Sequence, residues 1–103
     1  MSVEELTYQL SSEADKDIST IFDYTESEYG LQQAIDYTTK FKLTFIQLSQ
    51  EPNLGRARNE IRNGLRSFIQ NKHIIFYRIL NDHIRIVRIL HARSDIPSFL
   101  AKS

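Results

Sequence analysis

The 103-residue chain contains no cysteine and no tryptophan, and it has only three glycines and two prolines. The absence of cysteine excludes a disulfide framework, a thiolate nucleophile and every metal site with a cysteine ligand. The glycines, at positions 30, 55 and 64, are too far apart for the loops that cradle phosphate groups. No apolar stretch approaches the ~18 residues of a membrane span, and Glu4 and Glu5 stand where a secretory signal needs basic and apolar residues. We therefore expect a cytoplasmic protein with no membrane contact.

The overall composition is that of a globular protein, with 41% hydrophobic and 25% charged residues, and its length predicts one domain over residues 1–103. The net charge of zero conceals an asymmetry. Residues 1–51 contain ten acids and three lysines, a balance of −7, whereas residues 52–103 contain eight arginines, two lysines and three acids, a balance of +7. This asymmetry indicates an anionic partner for one surface, either nucleic acid or an acidic protein segment. The alternative is that the two halves neutralise each other within the fold.

Two helices are predicted in the first half of the chain. Apolar residues recur at three-to-four spacing from Glu13 to Tyr29 and again from Leu31 to Glu51. Two serines before Glu13 offer hydroxyl caps for the first helix, and the glycine after Tyr29 supplies a left-handed stop. Because only that glycine separates the helices, we expect them to form an antiparallel hairpin.

Four strands are predicted around this hairpin. Residues 5–10 alternate in polarity, residues 56–64 have no apolar period and indicate a loop, and residues 94–103 indicate a short tail. Three β-rich runs follow the loop: Leu65–Gln70, His73–Leu80 and His83–His91. The two-residue separations Asn71-Lys72 and Asn81-Asp82 predict two hairpins whose paired residue numbers add up to 143 and 163.

This register predicts which side chains share a face of the sheet. Ile86, Arg88 and Leu90 are expected on the face of Tyr77, and Val87, Ile89 and His91 on the opposite face. A β-bulge would exchange the faces beyond it. Both faces carry apolar residues and arginines, so we expect one face to pack on the helices and the other to remain a partly exposed apolar and basic surface. The predicted fold class is α+β, a two-helix antiparallel hairpin packed on a four-stranded, mainly antiparallel sheet in the order β-α-α-β-β-β.

Motifs along residues 6–95 sharpen this prediction. In chain order they are Tyr8-x-Leu10-Ser11-x-x-Ala14-x-x-Asp17-Ile18-x-x-Ile21-x-x-Tyr24, Gly30-x-x-x-Ala34, Pro52-x-x-Gly55-Arg56, Arg62-x-Gly64-Leu65-Arg66, His73-x-Ile75-x-Tyr77-Arg78-Ile79 and Ile84-x-Ile86-x-Arg88-Ile89-Leu90-His91-x-Arg93-x-Asp95. The ordered set resembles the ParE/RelE toxin superfamily of bacterial toxin-antitoxin systems, and the ParE branch in particular.

The resemblance implies a cytoplasmic toxin of a type II toxin-antitoxin system. It implies a hetero-oligomer with a cognate antitoxin whose C-terminal segment folds on the toxin. ParE-like members inhibit DNA gyrase by binding and perform no chemistry, whereas RelE-like members cut messenger RNA in the ribosome with lysines, arginines and a C-terminal tyrosine or histidine. This chain has no tyrosine after Asp95 and no lysine between Glu51 and Asn71, which favours gyrase inhibition.

Two other readings stay open. In a RelE-type ribonuclease, His91 would act as the base, with Arg66 and Arg93 among the arginines that hold phosphate. In a remnant without toxicity, the chain would keep only a structural or antitoxin-binding role.

Candidate binding residues are concentrated among the arginines of the second half. Four of them lie within the eleven residues 56–66, which comprise the predicted loop and the start of the next strand. The planar guanidinium group suits carboxylate and phosphate equally well. The residues predicted to bind a partner are Arg56, Arg58, Arg62, Arg66, Arg78, Arg85 and Arg93. The histidines at 73, 83 and 91 lack the spacing of metal ligands, so we expect no metal and no cofactor. The aromatic residues Phe22, Tyr24, Phe41 and Phe45 are expected in the core.

Overall fold

The structure is a computed structural model, and it describes residues 7–100. Its elements are β1 (Thr7–Leu10), α1 (Ser12–Tyr29), α2 (Leu31–Gln50), β2 (Arg56–Ala57), β3 (Leu65–Gln70), β4 (His73–Ile79), β5 (His83–His91) and α3 (Ile96–Leu100), with a 3₁₀ turn at Pro52–Leu54. The predicted α+β class is confirmed, and the two long helices lie within one residue of their predicted bounds. Residues 5–6 of the predicted first strand lie outside the described residues.

The sheet has five strands in the order β1-β5-β4-β3-β2, one more than predicted. β1 runs parallel to β5, and the other neighbours are antiparallel. The additional strand is β2, whose residues Arg56 and Ala57 pair with Ser67 and Arg66. The prediction of a continuous loop over residues 56–64 is therefore wrong at its start, because a strand of two residues is too short to produce a period in the sequence.

The start of α1 is fixed to the sheet by one side chain. The Ser11 Oγ accepts a hydrogen bond from the Ala14 N–H at 2.9 Å and donates one to the Val87 carbonyl at 2.7 Å. Ser11 thus caps the helix and joins it to β5. At the other end of α1, Gly30 has φ 96°, which a glycine adopts without a steric penalty, and the chain reverses there into α2.

A β-bulge in β5 changes the predicted faces of the sheet. The β3–β4 register is the predicted one, and the β4–β5 register is the predicted one from Ile79 opposite Ile84 to Tyr77 opposite Ile86. Phe76 then lies opposite Arg88, so that Val87 is an extra residue. Beyond this point the predicted faces of residues 88–91 are wrong, because an inserted residue reverses the alternation of side chains.

The face of the sheet that packs on the helices carries the larger core. Its buried residues are Ala14, Ile21, Phe41, Phe45, Leu48, Ile75, Tyr77, Ile84, Ile86 and Ile89. Phe41 and Phe45 are core residues as predicted, whereas Tyr24 is 62% exposed and Phe22 is only partly buried. The prediction that Tyr24 lies in the core is wrong, because three-to-four spacing groups residues on one stripe of a helix without showing how much of that stripe is covered.

The opposite face carries a second core, formed by Leu65, Ile74, Phe76, Val87, Leu90 and Leu100. Leu100 belongs to α3, and the partly buried Ile61 and Ile96 pack beside it. The prediction that this face keeps an exposed apolar surface is therefore wrong at its centre, since the described part of the predicted tail folds over it. Between Thr7 and Leu100, no helix is both long and apolar enough to cross a membrane.

Candidate functional site

Six of the seven arginines predicted to bind a partner lie at one end of the sheet. In the registers of β2, β3, β4 and β5, Arg66 lies opposite Tyr77, Leu65 opposite Arg78, and Arg78 opposite Arg85. The loop between β2 and β3 is tied to the same end, because the Arg58 N–H donates to the Leu65 carbonyl at 2.7 Å. We call these residues the arginine cluster: Arg56, Arg58, Arg62, Arg66, Arg78 and Arg85.

Backbone carbonyl groups orient three guanidinium groups of the arginine cluster. Arg66 donates from Nε and Nη2 to the Gly55 carbonyl at 3.0 and 2.6 Å. Arg78 donates to the Asn63 carbonyl at 3.2 Å, and Arg62 donates to the carbonyl of Leu100 in α3. Because a carbonyl is a neutral acceptor, these hydrogen bonds fix the side chains without cancelling their charge.

The loop that presents the cluster is held by a buried hydroxyl group. The Tyr77 side chain is fully buried, and its hydroxyl accepts a hydrogen bond from the Gly55 N–H at 2.8 Å and donates one to the Pro52 carbonyl at 2.7 Å. A Cβ atom at Gly55 would collide with the Tyr77 ring. Sequence reasoning assigned no role to Tyr77 or Gly55, although both stand in the motifs that carry the family resemblance.

The acids of the described chain neutralise little of this charge. Glu60 pairs with Arg58 at 2.7 Å, and the hydrogen bond from Arg58 lowers the pKa of Glu60. Arg56 and Arg85 are exposed. Within residues 7–100, a single arginine–carboxylate pair joins the acidic first half to the basic second half, namely Asp17 with Arg88. Internal neutralisation of the two halves is therefore a minor effect.

The pair of Asp17 and Arg88 lies away from the cluster and joins α1 to β5. The Asp17 carboxylate accepts hydrogen bonds from Nε and Nη2 of Arg88 at 2.8 and 2.9 Å and from the Ile89 N–H at 2.9 Å. The hydrogen bond to Asp17 raises the pKa of Arg88. Sequence reasoning missed this pair because its members are 71 residues apart.

The residues predicted for a ribonuclease are not brought together. His91 lies opposite His73 at one end of β4, whereas Arg66 lies opposite Tyr77, four residues along the strand. This corresponds to about 13 Å along β4. Arg93 follows β5 near His91, where its N–H donates to Nδ1 of His91 at 3.0 Å. The assignment of His91, Arg93 and Arg66 to catalysis stays a prediction.

The three histidines lie in different surroundings. His83 bonds the adjacent Asp82 at 2.7 Å, and this contact lowers the pKa of Asp82. His73 and His91 contact each other, with ring centroids 5.5 Å apart. Among residues 7–100, no three side chains of histidine, aspartate or glutamate come together as a candidate metal site.

The arrangement is that of a small α+β domain with arginines gathered at one end of its sheet, and comparison with known proteins places it among toxins. A structure titled "Chromosomal ParDE TA system from P. aeruginosa" shares the fold with a TM-score of 0.74 and 20% sequence identity, over 86% of this chain and 98% of that chain. The model of the family described as "ParE toxin of type II toxin-antitoxin system, parDE" matches residues 8–96.

Two relatives named "Toxin ParE1" extend the comparison. The protein of Caulobacter vibrioides is 32% identical over 93 residues, which cover 90% of this chain and 96% of the relative. The protein of Mycobacterium tuberculosis strain H37Rv is 34% identical over 90 residues, which cover 86% and 92%. The chain belongs to the ParE toxin family of type II toxin-antitoxin systems, and the resemblance predicted from its motifs is confirmed.

Proposed function

We propose that this ParE-family toxin acts in the cytoplasm by binding alone: it inhibits DNA gyrase by trapping the enzyme on cleaved DNA, and a co-produced antitoxin neutralises it. The antitoxin binds the arginine cluster through carboxylates of its C-terminal segment. Membership in the ParE family supports the target, and the ParDE system that shares the fold supports an antitoxin partner.

The observation that carries the proposal is the state of the arginine cluster. Backbone carbonyls orient the guanidinium groups of Arg62, Arg66 and Arg78, and Glu60 is the one acid of residues 7–100 that pairs with the cluster. A guanidinium in a fixed orientation binds a carboxylate through two parallel hydrogen bonds at little further cost in side-chain entropy. An acidic peptide segment therefore fits this end of the sheet.

The first experiment measures supercoiling of relaxed plasmid by purified gyrase in the presence of the toxin. We expect a slower reaction and an accumulation of cleaved DNA, and we expect prior addition of the antitoxin to restore the normal rate. A normal supercoiling rate in the presence of an excess of toxin would contradict gyrase inhibition.

The second experiment tests the arginine cluster as the antitoxin surface. Arg56→Glu combined with Arg85→Glu reverses two exposed charges of the cluster, and Lys16→Glu combined with Lys42→Glu makes the same change in charge on exposed positions of the helices. We expect the arginine variant to slow association with the antitoxin most strongly at low salt, and the lysine variant to have a small effect. From 50 to 500 mM salt the Debye length falls about threefold, so an association rate independent of salt would contradict this role.

Ribosome-dependent cleavage of messenger RNA is the alternative, and the separation of Arg66 from His91 gives it no support. Cuts in the message of translating ribosomes that disappear in His91→Ala would establish it in place of gyrase inhibition. Harmless expression of the chain without an antitoxin would favour the third reading, a remnant that has lost its toxicity.

A further inference from the structure

A cleft opens at the end of the sheet opposite to the arginine cluster. It lies between the helical hairpin and the β3–β4 turn and has a volume of about 670 Å³. Ile21, Tyr24 and Tyr37 form an apolar and aromatic wall, and Lys72, His73 and His91 line the sheet side. The proposed contact at the arginine cluster does not use this cleft, and of the cleft residues named here only His91 has a role in the ribonuclease alternative.

Hydrogen bonds hold the rings of the two histidines in place. The Nδ1 atom of His91 accepts the Arg93 N–H, so the proton of the neutral ring is on Nε2. The Nδ1 atom of His73 lies 2.8 Å from the Tyr37 hydroxyl. Burial lowers the pKa of His73, which favours its neutral form.

The polar lining of the cleft carries a positive charge and no negative one. Lys72 supplies an ammonium group beside the imidazole rings of His73 and His91, and no carboxylate of residues 7–100 lines the cleft. A set of donors that includes a positive charge binds an anionic oxygen in preference to a neutral one. The wall beside it is hydrophobic, and the Tyr24 ring, 62% exposed, gains contact area when a side chain covers it.

We propose that this cleft binds a carboxylate and an adjacent large apolar side chain of the antitoxin, as a second contact of the same segment that binds the arginine cluster. The inference rests on the proposed function. The occupant is an acidic peptide because the antitoxin segment proposed to bind the arginine cluster is acidic and because the charge that lines the cleft is positive. β4 separates the two contacts by about 20 Å, a distance that about six extended residues span.

The first test uses a defined probe on the full chain. N-acetyl-L-phenylalanine carries a carboxylate beside an aromatic side chain, and its amide is the matched neutral compound. In an NMR titration we expect the carboxylate form to bind at least fivefold more tightly and to shift the signals of His73, His91 and Lys72. We expect Lys72→Glu to abolish this difference, and Lys42→Glu, on the outer face of α2, to preserve it.

Two outcomes of the titration would overturn the assignment. Equal binding of the acid and the amide would show that the donors do not select an anion. Acetate or inorganic phosphate binding as tightly as N-acetyl-L-phenylalanine would show a site for free small anions that does not use the apolar wall.

The second test uses the cognate antitoxin. We expect Tyr24→Ala and Lys72→Glu each to weaken its binding about tenfold, and the matched variants Leu43→Ala and Lys42→Glu to stay within twofold. Leu43 is a fair control because it is 61% exposed on a different face of the hairpin. Thermal unfolding of each variant shows that the fold is kept.

The outcomes separate this inference from the proposed function. If the cleft variants keep full antitoxin affinity while Arg56→Glu with Arg85→Glu loses it, the cleft assignment is refuted and the arginine cluster stands. If the unaltered chain does not bind the antitoxin, the proposed function fails and the inference about its second contact fails with it.

Discussion

Breaking the contact between Asp17 and Arg88 from one side should be one of the more costly single substitutions in this chain. The two side chains are only 14% and 13% exposed, and the carboxylate satisfies both the guanidinium group and the Ile89 N–H. Asp17→Asn keeps the shape of the side chain but removes its charge and replaces an acceptor oxygen with a donor. Arg88 then keeps a largely buried charge whose remaining acidic neighbour is the exposed Glu13, and breaking a buried pair in this way typically costs about 3–5 kcal/mol.

Urea unfolding followed by circular dichroism measures this cost. With a slope of about 1.5 kcal/mol/M, a loss of 3 kcal/mol lowers the urea midpoint by about 2 M. Asp23→Asn removes an exposed acid from the same helix and should change the free energy of unfolding by less than about 0.5 kcal/mol. A midpoint drop below 0.5 M for Asp17→Asn, with an unchanged slope, would refute the reasoning.

A double-mutant cycle separates the pair from its surroundings. Asp17→Leu combined with Arg88→Met replaces both charges with apolar groups, and such replacements are often close to neutral. The double variant should therefore be clearly more stable than the sum of the two single changes predicts, by at least ~1 kcal/mol. Additive losses would mean that the two side chains act independently.

Three further changes test other parts of the structure. Tyr77→Phe leaves the Gly55 N–H and the Pro52 carbonyl without their partner and should lower the free energy of unfolding by about 2–3 kcal/mol, measured with urea. A variant as stable as the parent would contradict the role of this hydroxyl. Ser11→Ala removes the cap of α1 and its hydrogen bond to β5, and it should lower the free energy of unfolding by about 1–2 kcal/mol in the same assay. An unchanged free energy of unfolding would mean that water replaces the Ser11 hydroxyl. Burial lowers the pKa of His73, so on acidification this side chain takes up a proton at a higher pH in the unfolded chain than in the folded one. The free energy of unfolding should therefore fall as the pH drops below about 6.5. Urea midpoints at pH 7.5 and 5.5 should differ less in His73→Gln than in the parent, and an equal difference would exclude His73 as a source.

The helices and the hairpins could be predicted because their signals are local. Apolar spacing marked both helices, and the turn at Asn71, which adopts φ 54°, fixed the β3–β4 register. The extra residue Val87 in β5 could not be predicted, because the bulge depends on what lies across the sheet. The same holds for α3, whose five residues form a helix where Leu100 is buried against the second core.

The sequence predicts a set of binding residues, whose role stays a prediction, but it does not predict their arrangement. Arg78 and Arg85 lie at the same end of the sheet as residues 56–66 only because the strands place them side by side. The sequence could not indicate that Arg62 and Arg66 also hold the backbone in place. These bonds make both residues poor first choices for mutation, since their loss would disturb the fold together with the surface.

The parallel pairing of β1 with β5 makes completion of the sheet a late event in the life of each molecule. The Ser11 hydroxyl donates to the Val87 carbonyl 76 residues further along the chain, so the first strand has no neighbour to pair with until residues 83–91 have been synthesised. A chain interrupted before β5 lacks the strand that joins β1 to the rest of the sheet, and with it residues of both cores. Incomplete translation products should therefore be unfolded and open to proteolysis rather than partially active.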